Sequence, residues 1–96
     1  MTPHTSDGTR FRPVPDIVAT DLEEELVLLD PGTQEMFSLN ATGRLVWQHL
    51  PATLETLARQ VAAEFEVDEE EARQDVNALL QALFSAALIE PVADEP

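Results

Sequence analysis

Between residues 16 and 39 the apolar positions come in short bursts, and after residue 40 they recur every three or four residues. Bursts of four or five favour strands and the longer spacing favours helices, so the chain divides near Asn40. Residues 16–22 (DIVATDL) contain Ile17, Val18 and Thr20, types that suit a pleated strand. Glu23-Glu24-Glu25 marks a turn, and residues 26–30 (LVLLD) are too short an apolar run for a helix and read as a largely buried strand. Asp30-Pro31-Gly32-Thr33 is a turn signal. Residues 34–39 (QEMFSL) then form a third strand, with Phe37 and Leu39 on one face and Met36 and Ser38 on the other. The three strands predict a small antiparallel meander.

The second half predicts three helices. Asn40 can cap the first through its side-chain oxygen; this helix runs over residues 41–50, places Val46, Trp47 and Leu50 on one side, and stops at Pro51. Gly43 inside it costs about 1 kcal/mol against alanine, which points to a close packing approach. Thr53 can cap the second helix, where Leu54, Leu57, Ala58, Val61, Ala62 and Phe65 share a face. Asp68 with Glu71 is a capping-box pattern, and Glu69 and Glu70 suit the positive end of the helix dipole. The third helix runs to about Ala87, and residues 88–91 form a short return strand or an extended tail. Residues 1–15 read as an N-terminal tail, mobile over 1–8 and held extended over 9–15 by Pro13 and Pro15. The folded domain is expected over 16–91, with a C-terminal tail at 92–96. The fold class is therefore α+β, a three-stranded antiparallel sheet followed by three helices.

Charge changes the picture more than size does. Nineteen acidic residues stand against five arginines and no lysine, a net charge of −14. Nucleic-acid binding draws on clustered Lys and Arg, so that class is excluded and any charged partner is expected to be cationic. There is no cysteine, hence no disulfide or thiolate chemistry. No apolar run approaches the ~20 residues of a membrane span, and cytoplasmic location is expected. His4 and His49 lie apart, with no metal-ligand spacing, and Ser38 has no base in reach of its strand. Residues 64–75 are rich in Glu and Asp but lack a calcium-loop spacing and begin a helix. Neither catalytic residues nor a metal or other cofactor are expected.

What the pattern does offer is surplus apolar surface. At 100° per residue, Ala72, Val76, Leu79, Leu80, Leu83, Phe84, Ala86 and Ala87 span roughly 160°, wider than the ~100° stripe that a surface helix needs. Leu80 and Phe84 fall at one margin, beside Arg73 and Asn77. A margin of this kind next to an open strand is the geometry by which an extended peptide adds to a sheet. Met36, unbranched and adaptable, is the expected pocket wall on the strand side.

The ordered set Leu28-Leu29-Asp30, Met36-Phe37-Ser38-Leu39-Asn40-Ala41-Thr42-Gly43, Val46-Trp47, Phe65-Glu66-Val67-Asp68, Asp75-Val76, Leu79-Leu80 and Leu88-Ile89 resembles the PqqD-like family, named for the pyrroloquinoline quinone biosynthesis protein D. Ala87 stands where that family usually has glycine. The resemblance implies a winged helix-turn-helix and a non-catalytic chaperone that recognises the leader of a ribosomally made, post-translationally modified peptide. It implies that the leader adds as a strand to Gln34, Glu35, Met36, Phe37, Ser38 and Leu39, against Arg73, Val76, Asn77 and Leu80 of the third helix. Asp75 is then expected to form a salt bridge within the fold. The implied partners are a precursor leader and a modifying enzyme or leader peptidase, with the chain a monomer or weak dimer. The short stand-alone form is similar to the leader-binding partner of lasso-peptide systems more than to the quinone pathway. The competing expectation is an acidic winged-helix interaction module, an anti-regulator unrelated to peptide modification.

Overall fold

The structure, a computed structural model, describes residues 9–92. Of the expected tails at 1–15 and 92–96, residues 1–8 and 93–96 lie outside the described residues. The meander is present as β2 (Val18–Asp21), β3 (Leu26–Asp30) and β4 (Glu35–Leu39), antiparallel in the order β2-β3-β4. Three helices follow: α1 (Ala41–Gln48), α2 (Leu54–Phe65) and α3 (Glu69–Ser85). This is the winged-helix type of α+β fold.

A second sheet joins the two ends of the chain. Here β1 (Arg10–Pro13) lies between β5 (Ala52–Thr53) and β6 (Ile89–Pro91), antiparallel to both. Residues 9–15 are extended as expected, but the extension is held by pairing as well as by proline. Phe11 is 1% exposed and meets Phe84 edge-on at 6.4 Å between ring centroids. Arg12 Nε donates to Glu90 Oε2 across the β1–β6 ladder at 2.8 Å.

The helix starts follow their caps. Asn40 Oδ1 accepts the Gly43 N–H at 3.0 Å, Thr53 Oγ1 accepts the Thr56 N–H at 3.3 Å, and Asp68 Oδ2 accepts from Glu70 and Glu71 at 3.0 and 3.4 Å. Each bond satisfies a donor that the helix leaves unpaired at its first turn. One apolar cluster unites both sheets and all three helices: Phe11, Leu26, Leu28, Leu39, Val46, Leu57, Val61, Val76, Leu80 and Leu83 are all buried. Gly43 reports the tightest approach, since a Cβ there would sit 2.8 Å from Leu39 Cβ.

Candidate functional site

The expected site divides into a strand wall and a helix wall, and the structure treats them differently. β4 is the last strand of its sheet, and the N-terminal strand that could have covered it is engaged with β5 and β6 instead. Gln34 belongs to the turn, not the strand: its φ is 65° and its N–H donates to the Asp30 carbonyl at 2.6 Å. A four-residue connection closes the hairpin here, and its last position takes the left-handed conformation that reverses the chain.

The backbone groups that β4 offers follow from the ladder. Leu22 N–H donates to the Glu25 carbonyl at 2.9 Å, one pair beyond the end of β2. Bonded and non-bonded pairs alternate in an antiparallel ladder, so Val27 and Leu29, opposite Thr20 and Val18, turn their N–H and C=O to β2. Leu26, Leu28 and Asp30 therefore turn theirs to Leu39, Phe37 and Glu35. The open side of β4 is left with the N–H and C=O of Met36 and Ser38, and no strand of the described residues pairs there. Beyond them, the Asn40 carbonyl is already accepting from Arg44 N–H at 2.8 Å.

Side chains sort by the same alternation. Phe37 and Leu39 face the core with Leu26 and Leu28, while Met36 and Ser38 face outward with Leu29 and Val27. Met36 is 67% exposed. It therefore lies on the opposite face of the sheet from Val76 and Leu80, and the expected cleft between these three residues does not form.

On α3, Val76 and Leu80 are fully buried, so Leu80 belongs to the core and not to a margin. Arg73 is ion-paired with Glu55 of α2. Phe84, on the same flank, meets Phe11 of β1, and Asn77 lies half-buried between them. That flank faces α2 and β1. Asp75 is exposed and makes no ion pair among the described residues. Leu79, which the sequence reading assigned only to the core sector, is half-buried against the cluster and lies roughly 120° around the helix from Arg73.

The charged site with the clearest geometry was not singled out from the sequence. Arg44 of α1 binds Asp21 at the end of β2 through two bonds, Nε–Oδ1 at 2.8 Å and Nη2–Oδ2 at 2.9 Å, and Gln48 Nε2 adds a third at 3.2 Å. The Arg44 guanidinium, and then the Glu23 N–H at 2.8 Å, hold the Asp21 carboxyl below its ordinary pKa. Two residues in separate elements meet here, so no local spacing could have disclosed the pair. Among the described residues no group of three or more His, Cys, Asp or Glu side chains could hold a metal ion. No helix of the described residues is long and apolar enough to cross a membrane.

This fold, with β4 at an open edge of its sheet, is that of the peptide-recognition winged helices, and comparison with known proteins places it. The family model for coenzyme PQQ synthesis protein D (PqqD) matches residues 25–89; the chain belongs to the PqqD family. It is similar to the solved structure of TbiB1 in complex with the TbiA(beta) leader peptide, at 29% identity and TM-score 0.77, covering 86% of this chain and 99% of that one. It is also similar to a lasso peptide synthetase B1 complexed with the leader peptide, at 30% identity and TM-score 0.75, covering 84% of this chain and 98% of that one. The PqqD portion of Methylobacterium extorquens PqqCD, a stand-alone recognition element, shares the fold at 18% identity and TM-score 0.71, covering 93% and 95%. No curated protein sequence matches the chain.

Proposed function

We propose that this protein is a non-catalytic carrier that binds the leader segment of a ribosomally made precursor as a fourth strand on β4. It then presents the rest of the peptide to a modifying enzyme or leader peptidase, in the cytoplasm and as a monomer or weak dimer. The observation that carries the reading is the open edge at Met36 and Ser38, left vacant although the chain has an N-terminal strand that pairs elsewhere. Likeness to two chains solved with leader peptides supports it and favours a lasso-type system over the quinone pathway.

Two donors and two acceptors contribute roughly 2–6 kcal/mol net, short of the ~8 kcal/mol of micromolar binding even before the cost of association. Side-chain contacts must supply the difference. On the core side these fall to Phe37 and Leu39 of β4 and to Leu79 of α3, with Val76 and Leu80 as the floor beneath. Arg73 and Asn77 act through the packing of α3 on α2.

Proline placement tests the strand wall. Ser38→Pro deletes an outward-facing donor and leaves the β3 ladder intact, a position that edge strands tolerate. Leader affinity, measured by anisotropy of a labelled leader peptide, should fall about tenfold or more while the circular dichroism spectrum is unchanged. An unaltered affinity in the folded variant counts against strand addition at β4.

A further inference from the structure

The β2-β3-β4 sheet has a second edge, at β2. All four residues of this strand are exposed, and no strand of the described residues pairs with its outer side. By the alternation derived above, Val18 and Thr20 turn their N–H and C=O to β3. Ala19 and Asp21 therefore turn theirs outward. The outer strands of the other sheet are blunted in ways that β2 is not. On β6, Val14 N–H donates to the Leu88 carbonyl at 3.0 Å and Val92 N–H to that of Arg10 at 2.7 Å, so the outward positions are Ile89 and Pro91. Pro91 has no N–H to give, a common guard against edge pairing. β5 is two residues long. β2 contains neither proline nor lysine, and its one acid, Asp21, is neutralised by Arg44.

We propose that this edge pairs with the β2 edge of a second copy, antiparallel about a two-fold axis at Thr20, joining two meanders into one continuous sheet. The register follows from the alternation. Ala19 of each copy stands opposite Asp21 of the other, and each such pair exchanges both N–H···O bonds. Thr20 then meets its own counterpart, and Val18 meets Leu22, so side chains that are 49% and 51% exposed in the single chain pack across the axis. Centring the axis on Ala19 instead would set Asp21 against Ile17, whose N–H is already given to the Val14 carbonyl. The strand is thus complementary to itself, as a two-fold interface requires. Both β4 edges stay open at the ends of the joined sheet, and the pairing does not depend on what they carry. Charge sets the condition for it. Beyond the strands Asp16 comes opposite Glu24, so like charges face each other at both ends. Association is therefore weak at low ionic strength and tightens as salt screens those ends.

Sedimentation equilibrium of the full chain, at protein concentrations up to ~1 mM because so small an interface is weak, tests this. The unmodified protein should form a reversible dimer whose dissociation constant falls about threefold or more between about 0.05 and about 0.5 M salt. Ala19→Pro deletes an outward-facing donor and leaves the β3 ladder intact, while Thr20→Asp sets two carboxylates together on the axis. Each variant should weaken the dimer about tenfold or more with an unchanged circular dichroism spectrum, and affinity for the labelled leader should stay within about twofold. A monomer up to ~1 mM at both salt concentrations overturns the proposal. So does a dimer that both folded variants retain, and so does one that loosens with salt. A dimer that Ser38→Pro abolishes and Ala19→Pro keeps is seated at β4, and overturns it as well.

Discussion

Ala87 occupies a backbone conformation that usually falls to glycine. Its φ is 63°, and it closes α3 in a Schellman motif: Leu88 N–H donates to the Leu83 carbonyl and Ala87 N–H to that of Phe84, each at 3.0 Å. A left-handed alanine costs about 1–2 kcal/mol, and glycine gives back part of that through the entropy of the unfolded chain. Ala87→Gly should therefore stabilise the protein by roughly 0.5–1 kcal/mol, seen as a higher urea midpoint at constant slope. Leu80 makes the opposite point. With no exposure, Leu80→Glu would bury a carboxylate and cost more than ~3 kcal/mol, so its thermal melt should collapse, and loss of binding in that variant would report unfolding. Helical projection gave its azimuth correctly but not its depth, because what covers a helix flank is set by distant chain.

Among the contacts that tie α1 to the meander, two make separate predictions. At Gly43 a helix-propensity gain of about 1 kcal/mol favours alanine, but a Cβ 2.8 Å from Leu39 Cβ forces the last residue of β4 to move, at about 1–3 kcal/mol. Gly43→Ala should be net destabilising, and amide exchange at Phe37 and Leu39 should quicken first. The second contact is Asp21 with Arg44. Because the folded carboxyl titrates below its ordinary value, this contact adds stability above the ordinary carboxylate pKa of about 3.9 and loses it as pH falls through the lower folded value. Asp21→Asn should lower the melting temperature at neutral pH, and the difference from the unmodified protein should shrink progressively as pH falls below the ordinary carboxylate range. At this scale the sequence was legible wherever signals were local: Asn40, Thr53 and Asp68 all cap as their identities suggest. The β5-β1-β6 sheet was not legible, since strands of two to four residues carry no periodicity and pair across most of the chain.

Over the whole molecule, the meander-then-helices order was readable because period two gives way to period 3.6 at Asn40. The candidate site was readable only in part. An edge can be named from strand order, but the face that Met36 presents depends on register, and Gln34 entered the turn without glycine or asparagine to announce it. The net charge of −14 carries its own expectation. If apolar side chains hold the leader, raising salt from 0.05 to about 0.5 M should change leader affinity by less than about threefold, whereas a hold carried by the acidic side chains would weaken steeply. Calorimetric titration of the leader at both ionic strengths measures the change.

Only two residues of β4, Met36 and Ser38, offer main-chain groups on the open side, and the strand is closed off by a turn at Gln34 and by the helix start at Asn40. Such a brief hold suits a courier more than a vault. Main-chain groups are the same in every sequence, so guests that differ in their side chains can use the same hold.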